Sequence, residues 1–389
     1  MNILIVSPAF PPYSGVASMR AYSLANYLKN KGNAVYIIRN SKDYWGAENC
    51  KSPCNDFESI IDVDVSGEFS SSSLEYTNAI KRLIQKKAID IAVYSCSPYY
   101  IVKSAIKIKK EYGIKTIIDY RDLWINDEPL TRNILKRFKK VLVKMPYRRF
   151  EAESIEIANA ILTVTPRDCD YLQKKYKKYK YKIKYIYNGF EEDRLSNVGD
   201  IDISHINLPQ YYIGIFGKFG YYDFKYAVAF LNAVKIINDE GFPLKLVHVG
   251  KKDITTDKAI IASHISNDIY INTGYQDYST GMKIISNSLL NCLIVHYKRA
   301  LGTKVFDYIY ARRPIVSFAQ KDSAIQEILS NIGNAFRCES TDEAVNAIHI
   351  IKENLPDFLS NNNDIDQFSR KHSNEQYLKL IKQIVEEGC

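Results

Sequence analysis

Ile3-Leu4-Ile5-Val6 runs straight into Ser7-Pro8-Ala9-Phe10-Pro11-Pro12-Tyr13-Ser14-Gly15, and near the other end of the chain Gly302-Thr303-Lys304-Val305-Phe306-Asp307-Tyr308 follows a second apolar run, Cys292–His296. In both places a buried strand hands over to a helix. The carboxyl ends of strands in open α/β sheets are where ligands bind. The second stretch also breaks a local rule. The start of a helix carries partial positive charge and favours acidic side chains, yet Lys304 lies in the first turn. A cation in that position expects an anion to join it, and a phosphate is the usual one.

Reading outward, the first half alternates strand and helix. Ala21, Leu24, Ala25 and Leu28 share one face of a helix over 18–31 that stops at Gly32, with Ser18 as its N-cap. Strands follow at Ala34–Ile38, Ile89–Tyr94, Thr116–Asp119, Ala160–Val164 and Ile183–Tyr187, separated by helices over 75–87, 99–111, 131–158 and 167–177. Residues 41–73 read as a long loop with room for one short strand. After a turn-rich connection over 188–209 the pattern restarts. Strands are expected at Tyr212–Phe216, Leu244–Val249, Ile269–Asn272, Cys292–His296, Ile315–Phe318 and near 335–337, and an amphipathic helix closes the chain over about 366–387. Strands alternating with helices of this length make a parallel, doubly wound sheet. The expected product is α/β: two Rossmann-like lobes facing each other across a cleft. They are residues 1–190 and 210–365, joined by a linker over 191–209, with 366–389 as a closing helix.

Bulk properties narrow the class. No run of about eighteen uncharged apolar residues occurs, so nothing reads as a membrane span. The first residues read as a strand and not as a signal peptide. Seven scattered cysteines fit reduced thiols in a cytosol. Cys50 and Cys54 have no second pair to complete a zinc site. The net charge is +9, but residues 132–149 hold eight Lys or Arg and residues 174–184 hold seven Lys, neither with an acid. The remainder is therefore net acidic, and a localised basic face expects a phosphate-rich partner. Over 132–149, Ile134, Phe138, Val141, Leu142 and Met145 share one helical face while Lys136, Lys140 and Lys144 stack on another. With Lys139 they form a candidate contact to an anionic bilayer. The alternative is a stripe packed on its own sheet with solvated lysines. The Lys/Tyr mixture of 174–184 could add to that face. It also matches a single-strand nucleic-acid surface, but no nucleic-acid module accompanies it, and no nucleic-acid partner is expected.

Several residues carry candidate chemistry. Gly302 permits a tight strand-to-helix passage, unpaired amides of the helix start follow it, and Thr303 opens the helix. Lys304 and Asp307 share a face, as a diphosphate clamp and a carboxylate for ribose hydroxyls, or as an ordinary surface pair. Lys218 projects just past strand Tyr212–Phe216, with Gly217 keeping that loop compact. In the first half Gly15 relaxes the Pro-Pro loop and Arg20 brings another cation to a helix start. Asp119-Tyr120-Arg121-Asp122-Leu123-Trp124 closes a strand; Asp122 is the acid best placed for substrate, against a mutual Asp–Arg pair that merely holds the loop. The D-x-D pairs at Asp62/Asp64, Asp200/Asp202 and Asp364/Asp366 follow no convincing buried strand, so no metal is expected. His248 ends a strand and reads as a core or loop histidine sooner than a ligand. No Walker loop, G-x-S-x-G or G-x-G-x-x-G is present.

In their order along the chain these segments resemble the retaining glycosyltransferases of family four, which have the two-lobed GT-B fold. Pro11 to Gly15 is similar to the family's opening loop. Gly302-Thr303-Lys304-Val305-Phe306-Asp307-Tyr308 is similar to P-x-K-x-x-E-Y, and Ala311-Arg312-Arg313-Pro314-Ile315-Val316 to the turn and strand after it. Tyr187-Asn188-Gly189-Phe190 resembles the family's P-N-G segment. Arg121-Asp122-Leu123-Trp124 resembles the RDLW of a subgroup that builds bacterial surface polysaccharides. Three departures stand out: Asp307 and Arg299 occupy the positions of a Glu pair, Val16 replaces a second glycine, and Asp122 stands where many members carry a histidine.

The resemblance implies transfer of a sugar from a nucleotide sugar with retained configuration, without metal or other cofactor. The acceptor it implies is a lipid-linked saccharide, handled by a cytoplasmic enzyme held peripherally at the inner membrane. Lys218 and Lys304 would stabilise the leaving diphosphate, with Gly15, Arg20, Gly217, Gly302, Thr303 and Asp307 on the donor side. Asp122 would orient a sugar hydroxyl or face the anomeric carbon. A Lys-, Ile-, Asn- and Tyr-rich composition fits an AT-rich bacterial genome and, by association, capsule or O-antigen assembly. Two rivals are an epimerase of the same fold acting on the nucleotide sugar itself, and a non-catalytic membrane-bound binding module.

Overall fold

The computed structural model describes residues 1–13, 16–41, 57–65, 69–123, 134–295, 301–360 and 365–387. The chain forms two compact units: Met1–Asn188 with Arg370–Cys389, and Gly189–Ser369. The stretch expected to be a linker over 191–209 belongs to the second unit, where it holds the short helix Glu192–Leu195.

The first unit is built on a seven-stranded sheet: β1 (Asn2–Val6), β2 (Ala34–Asn40), β3 (Ser59–Val63), β4 (Ile91–Cys96), β5 (Lys115–Tyr120), β6 (Ala160–Thr163) and β7 (Ile183–Tyr185), in the order 3-2-1-4-5-6-7. All its pairings are parallel. Side chains alternate across a strand, and β1 shows what that does. Leu4 and Val6 enter the core formed with the helices Phe69–Ile84 and Tyr100–Tyr112. Ile3 and Ile5 enter the opposite core, with Ala21, Leu24, Ala25 and Leu28 of the helix Val16–Asn30 and Tyr377, Ile381 and Ile384 of the helix Arg370–Glu386. Both faces are covered, which is why these strands read as continuous apolar runs.

The second unit repeats the plan with six parallel strands: β8 (Tyr212–Phe216), β9 (Lys245–Val249), β10 (Tyr270–Gly274), β11 (Leu290–Val295), β12 (Ile315–Ala319) and β13 (Ala335–Cys338), in the order 10-9-8-11-12-13. The strand order reverses between β1 and β4 in one sheet and between β8 and β11 in the other. The helices Ile254–Ser263 and Leu355–Ser360 were not expected from the pattern. Ile254 and Ile261 point outward, so the first of them lacks an apolar stripe that separates inside from outside.

Two expectations for the first helix are corrected. It begins at Val16, so Ser18 sits inside its first turn and does not cap it. Arg20, expected at a helix start facing donor, is buried at 5% exposure. Its Nε and Nη2 donate to the two carboxylate oxygens of Asp119 at 2.8 and 3.2 Å. Its Nη1 donates to the Tyr187 carbonyl at 2.9 Å and to Asn188 Oδ1 at 3.2 Å. Its guanidinium carbon lies 5.2 Å from the centre of the Tyr377 ring. Burial alone would lower the Arg20 pKa; Asp119 reverses this and holds it above the ordinary value. Arg20 is thus the joint of the unit, tying the first helix to β5 and to the returning C-terminal helix.

Removing one partner of a buried ion pair leaves an uncompensated charge and costs about 3–5 kcal/mol. Arg20→Ala is expected to lose that much in urea unfolding at neutral pH. A loss below about 1 kcal/mol, the range of an exposed pair, would show that the joint is not structural.

Candidate functional site

The carboxyl end of β8 delivers Phe216 and then Gly217, whose φ of +92° suits glycine. Its N–H donates to the Val249 carbonyl at 2.8 Å. Space matters here as much as torsion. A Cβ on Gly217 would lie 3.3 Å from Cε of Lys304, and one on Gly250 (φ +141°) would lie 3.3 Å from the Gly217 backbone. The two glycines let the chain leave β8 and β9 side by side while the lysine stem passes over Gly217.

The helix Lys304–Tyr310 is fastened to that strand end, since the N–H of Phe216 donates to the Tyr308 hydroxyl at 2.8 Å. Lys304 Nζ lies 3.5 Å from the centre of the Phe216 ring and 3.4 Å from Asp307 Oδ2. The other carboxylate oxygen of Asp307 accepts from the Tyr278 hydroxyl at 2.6 Å. Burial, reinforced by Asp307, pushes the Tyr278 phenol well above its usual value, so it remains a donor throughout the working range. The Arg194 guanidinium covers the Tyr278 ring at 4.3 Å. Lys218, the residue after Gly217, rests its Nζ 3.5 Å from the centre of the Tyr221 ring. The structure therefore gathers Gly217, Lys218, Thr303, Lys304 and Asp307 at the order reversal between β8 and β11.

Two details differ from expectation. Gly302 is exposed, has no left-handed torsion, and a Cβ there would meet nothing within 4 Å among the described residues, so no close backbone approach requires it. The first-turn amides are not all open: Val305 N–H donates to the Gly302 carbonyl at 3.3 Å and Phe306 N–H to the Thr303 carbonyl at 3.0 Å. Lys304 is the cation of this helix start more than its amides are the anion cradle.

His248 closes β9 beneath the same loop, fully buried. Its Nε2 contacts the Gly217 carbonyl and its Nδ1 the Tyr270 hydroxyl. The carbonyl can only accept, so Nε2 carries the proton. Burial holds the Tyr270 phenol protonated and well above its usual value, so Nδ1 accepts from it. Burial also lowers the His248 pKa, against the opposing pull of the Gly217 carbonyl and Asp253; Lys252 adds to the lowering. A neutral imidazole with a fixed tautomer thus holds the Gly217 turn.

The other candidates lie in the first unit. Asp122 is exposed, and its carbonyl accepts from Tyr99 Oη at 2.9 Å. The expected mutual Asp–Arg pair is replaced. Asp119 binds Arg20, while Arg121 Nη1 and Nη2 donate to the carbonyls of Ala17 (2.6 Å) and Ser97 (2.8 Å), bridging the chains that leave β1 and β4. Gly15, Trp124 and Arg299 lie outside the described residues. Lys136, Lys139, Lys140 and Lys144 fall on the helix Ile134–Ile157, and their side chains lie outside the described residues. Of the D-x-D pairs, Asp62 binds Arg39 at 2.7 Å and Asp202 accepts from Ser204 N–H at 2.9 Å.

Tyr278, Gly250 and Arg194 were not singled out from sequence, and Tyr308 appeared there only as the end of the Gly302–Tyr308 segment, without a role. Gly250 did carry a signal, because strand-Gly-Lys recurs at the ends of β8 and β9. Tyr278 had none, since only folding brings it to Asp307.

Two doubly wound parallel sheets in succession are the plan of the GT-B fold. Residues 17–194, a little under half of the chain, match the family model described as Glycosyltransferase Family 4. No curated protein sequence matches the chain. Among solved structures, it is similar to a sucrose-phosphate synthase from Thermosynechococcus elongatus (13% identity, all of both chains, TM-score 0.70). It is also similar to a glycosyltransferase from Rickettsia africae (15% identity, 99% of this chain and 98% of that one, TM-score 0.67). A UDP-GlcNAc 2-epimerase from Methanocaldococcus jannaschii is similar too (12% identity, 98% of this chain and all of that one, TM-score 0.58). At these identities the likeness establishes the fold.

A depressed histidine pKa stabilises the folded state above the unfolded value near pH 6.5, and that contribution is lost as pH falls through the folded value. The urea midpoint is expected to drop between pH 7.5 and 5, with a shallower drop in His248→Gln. Equal slopes in the two proteins would remove His248 from the account.

Proposed function

We propose that this protein is a retaining, metal-independent glycosyltransferase that moves a sugar from a nucleotide-sugar donor to a lipid-linked saccharide. It would work at the cytoplasmic face of a bacterial membrane, in capsule, O-antigen or exopolysaccharide assembly. One observation carries the donor side of this reading: Lys304 packed across Gly217 at the order reversal of the second sheet, with Lys218 next in the chain. Breaking the bond to a nucleoside diphosphate leaves negative charge on phosphate oxygens, and preorganised cations lower that barrier. Lys304 and Lys218 lie against aromatic faces, contacts worth about 0.5–1 kcal/mol at exposed sites. A phosphate oxygen offers a stronger, charge-assisted bond, so Lys218 can exchange its ring for diphosphate at little cost, and Lys304 can do so while sharing or giving up its pairing with Asp307. Asp307, fixed by Tyr278, suits donor hydroxyls, and Thr303 and Gly302 complete the donor set. Asp122, as the group that would orient a sugar hydroxyl or stabilise charge at the anomeric carbon, and Gly15, on the donor side, belong to the same proposal. The family-four match over residues 17–194 supports sugar transfer. Lys136, Lys139, Lys140 and Lys144 supply the proposed membrane contact.

Lys304→Ala is expected to lower turnover by about 10²–10³-fold, the range for loss of one oxyanion donor, with an unchanged melting profile. Near-normal turnover would remove Lys304 from the mechanism. Incubation with UDP-, GDP-, dTDP- or CMP-sugars alone should leave the sugar unchanged; an isomerised sugar would replace transfer by epimerisation.

A further inference from the structure

The seven lysines of residues 174–184 fall into two groups. Two are committed to the body of the first unit. Lys175 Nζ lies 2.5 Å from Oε1 of the buried Glu151, which also accepts from Tyr176 Oη at 2.7 Å. Lys182 is buried and donates to the carbonyls of Glu156 at 2.8 Å and Ala158 at 2.7 Å. Those carbonyls close the helix Ile134–Ile157, where the helix dipole favours a cation. The tight 3₁₀ turn Lys177–Lys182 and the edge strand β7 are thereby pinned in place.

The other five, Lys174, Lys177, Lys178, Lys180 and Lys184, are exposed, and none lies within ion-pair distance of an acid among the described residues. Tyr181 and Tyr185 stand out beside them at 73% and 43% exposure. Unpaired cations and outward tyrosines thus share one rigid ridge at the sheet edge. We infer that this ridge docks the protein onto an anionic lipid bilayer. Lysines gain most next to anionic headgroups, and tyrosine prefers the headgroup level, with its ring inward and its hydroxyl wet. The pinned backbone leaves little ordering entropy to lose on docking. A single-stranded nucleic acid would need open ring faces for stacking. Here the face of Tyr176 carries Lys175 at 5.0 Å, and Tyr179 carries Lys178 and Lys182 at 5.2 and 4.9 Å, which leaves Tyr181 and Tyr185 as the exposed rings for a whole run of bases. The inference shares its partner with the membrane contact proposed above but uses different residues.

The test is flotation with vesicles of equimolar phosphatidylglycerol and phosphatidylcholine, against phosphatidylcholine alone and against polyuridylate. The full chain should bind the mixed vesicles best. With about fivefold per lysine near the surface, K177Q/K178Q/K180Q should bind them about a hundredfold more weakly. K174Q/K184Q, made in parallel in case the triple variant unfolds, should lose about twenty-five-fold. Undiminished binding by both variants overturns the ridge, even if K136Q/K139Q/K140Q/K144Q loses binding. Tighter binding to polyuridylate than to mixed vesicles, or equal binding to phosphatidylcholine alone, overturns it as well. Lysine-dependent vesicle binding by a protein that fails to bind any nucleotide sugar supports the ridge while counting against sugar transfer.

Discussion

Strands β8 and β11 are hydrogen-bonded neighbours, with Leu290 opposite Ile213 and Asn291 opposite Gly214, yet the chains that follow them serve opposite flanks of the sheet. Parallel sheets wound outward from a middle pair must open at that pair's carboxyl end. Everything notable about the second unit is a consequence of how that opening is lined. Gly217 turns left-handed so that β8 can leave without a side chain. Lys304 lays its stem over the bare backbone, and Tyr308 holds the helix down by taking the N–H of Phe216. Asp307 then receives Tyr278 from the neighbouring helix Tyr278–Ser286. A side chain at position 217 would strain the turn and press on the Lys304 stem, the one atom among the described residues that a Cβ there would meet within 4 Å.

The first unit answers the same geometry with cations already committed to oxygens of the fold. Arg121 spans the chains leaving β1 and β4 through two carbonyls. Arg20, one strand further on, is consumed by Asp119 and by the chain end at Tyr187 and Asn188. The Tyr187 carbonyl also accepts from Ser373 Oγ at 2.9 Å, so one oxygen receives both the first helix and the last. A buried ion pair is weak evidence for stability in itself, because desolvation offsets much of the attraction. Its effect here is positional. The fork of Arg20 has one arrangement that satisfies every donor named, and Tyr377 must lie beside it. The C-terminal helix is thereby registered against the first by polar geometry, while Ile381 and Ile384 supply the apolar contact.

Much of this fold is legible in the sequence. Strands buried on both faces leave uninterrupted apolar runs, and all of the expected strands form. The helices with one apolar stripe were equally readable; Ile254–Ser263, with outward isoleucines, was not. Within the site, Lys304, Asp307 and Lys218 could be named because cations and acids beside strand ends are conspicuous. What escaped was any property that depends on a distant partner. Arg20 and Lys304 look alike on paper, each a cation near the start of a helix after a buried strand. One meets Asp119, ninety-nine residues away, and disappears into the core. The other meets an aromatic ring and the buried carboxylate of Asp307. Gly302 looked obligatory beside its strand and is not, while Gly250 looked incidental and is required by Gly217.

The lysines make the general point in one residue type. Lys182 is inside, at the end of a helix whose carbonyls want a cation. Lys175 neutralises a buried glutamate, Lys304, Lys218 and Lys178 lie on rings, and Lys174, Lys177, Lys180 and Lys184 face solvent. A charge count weighs all of them equally and so overstates what any partner can feel. An ammonium already saturated by carbonyls adds rigidity and almost no external field. One leaning on a ring can be withdrawn by a better anion. One with no partner at all attracts anions over a Debye length, about 8–10 Å near physiological salt. The basic character of this chain is therefore partitioned by folding into structural, exchangeable and long-range parts, and only the last two bear on what it binds.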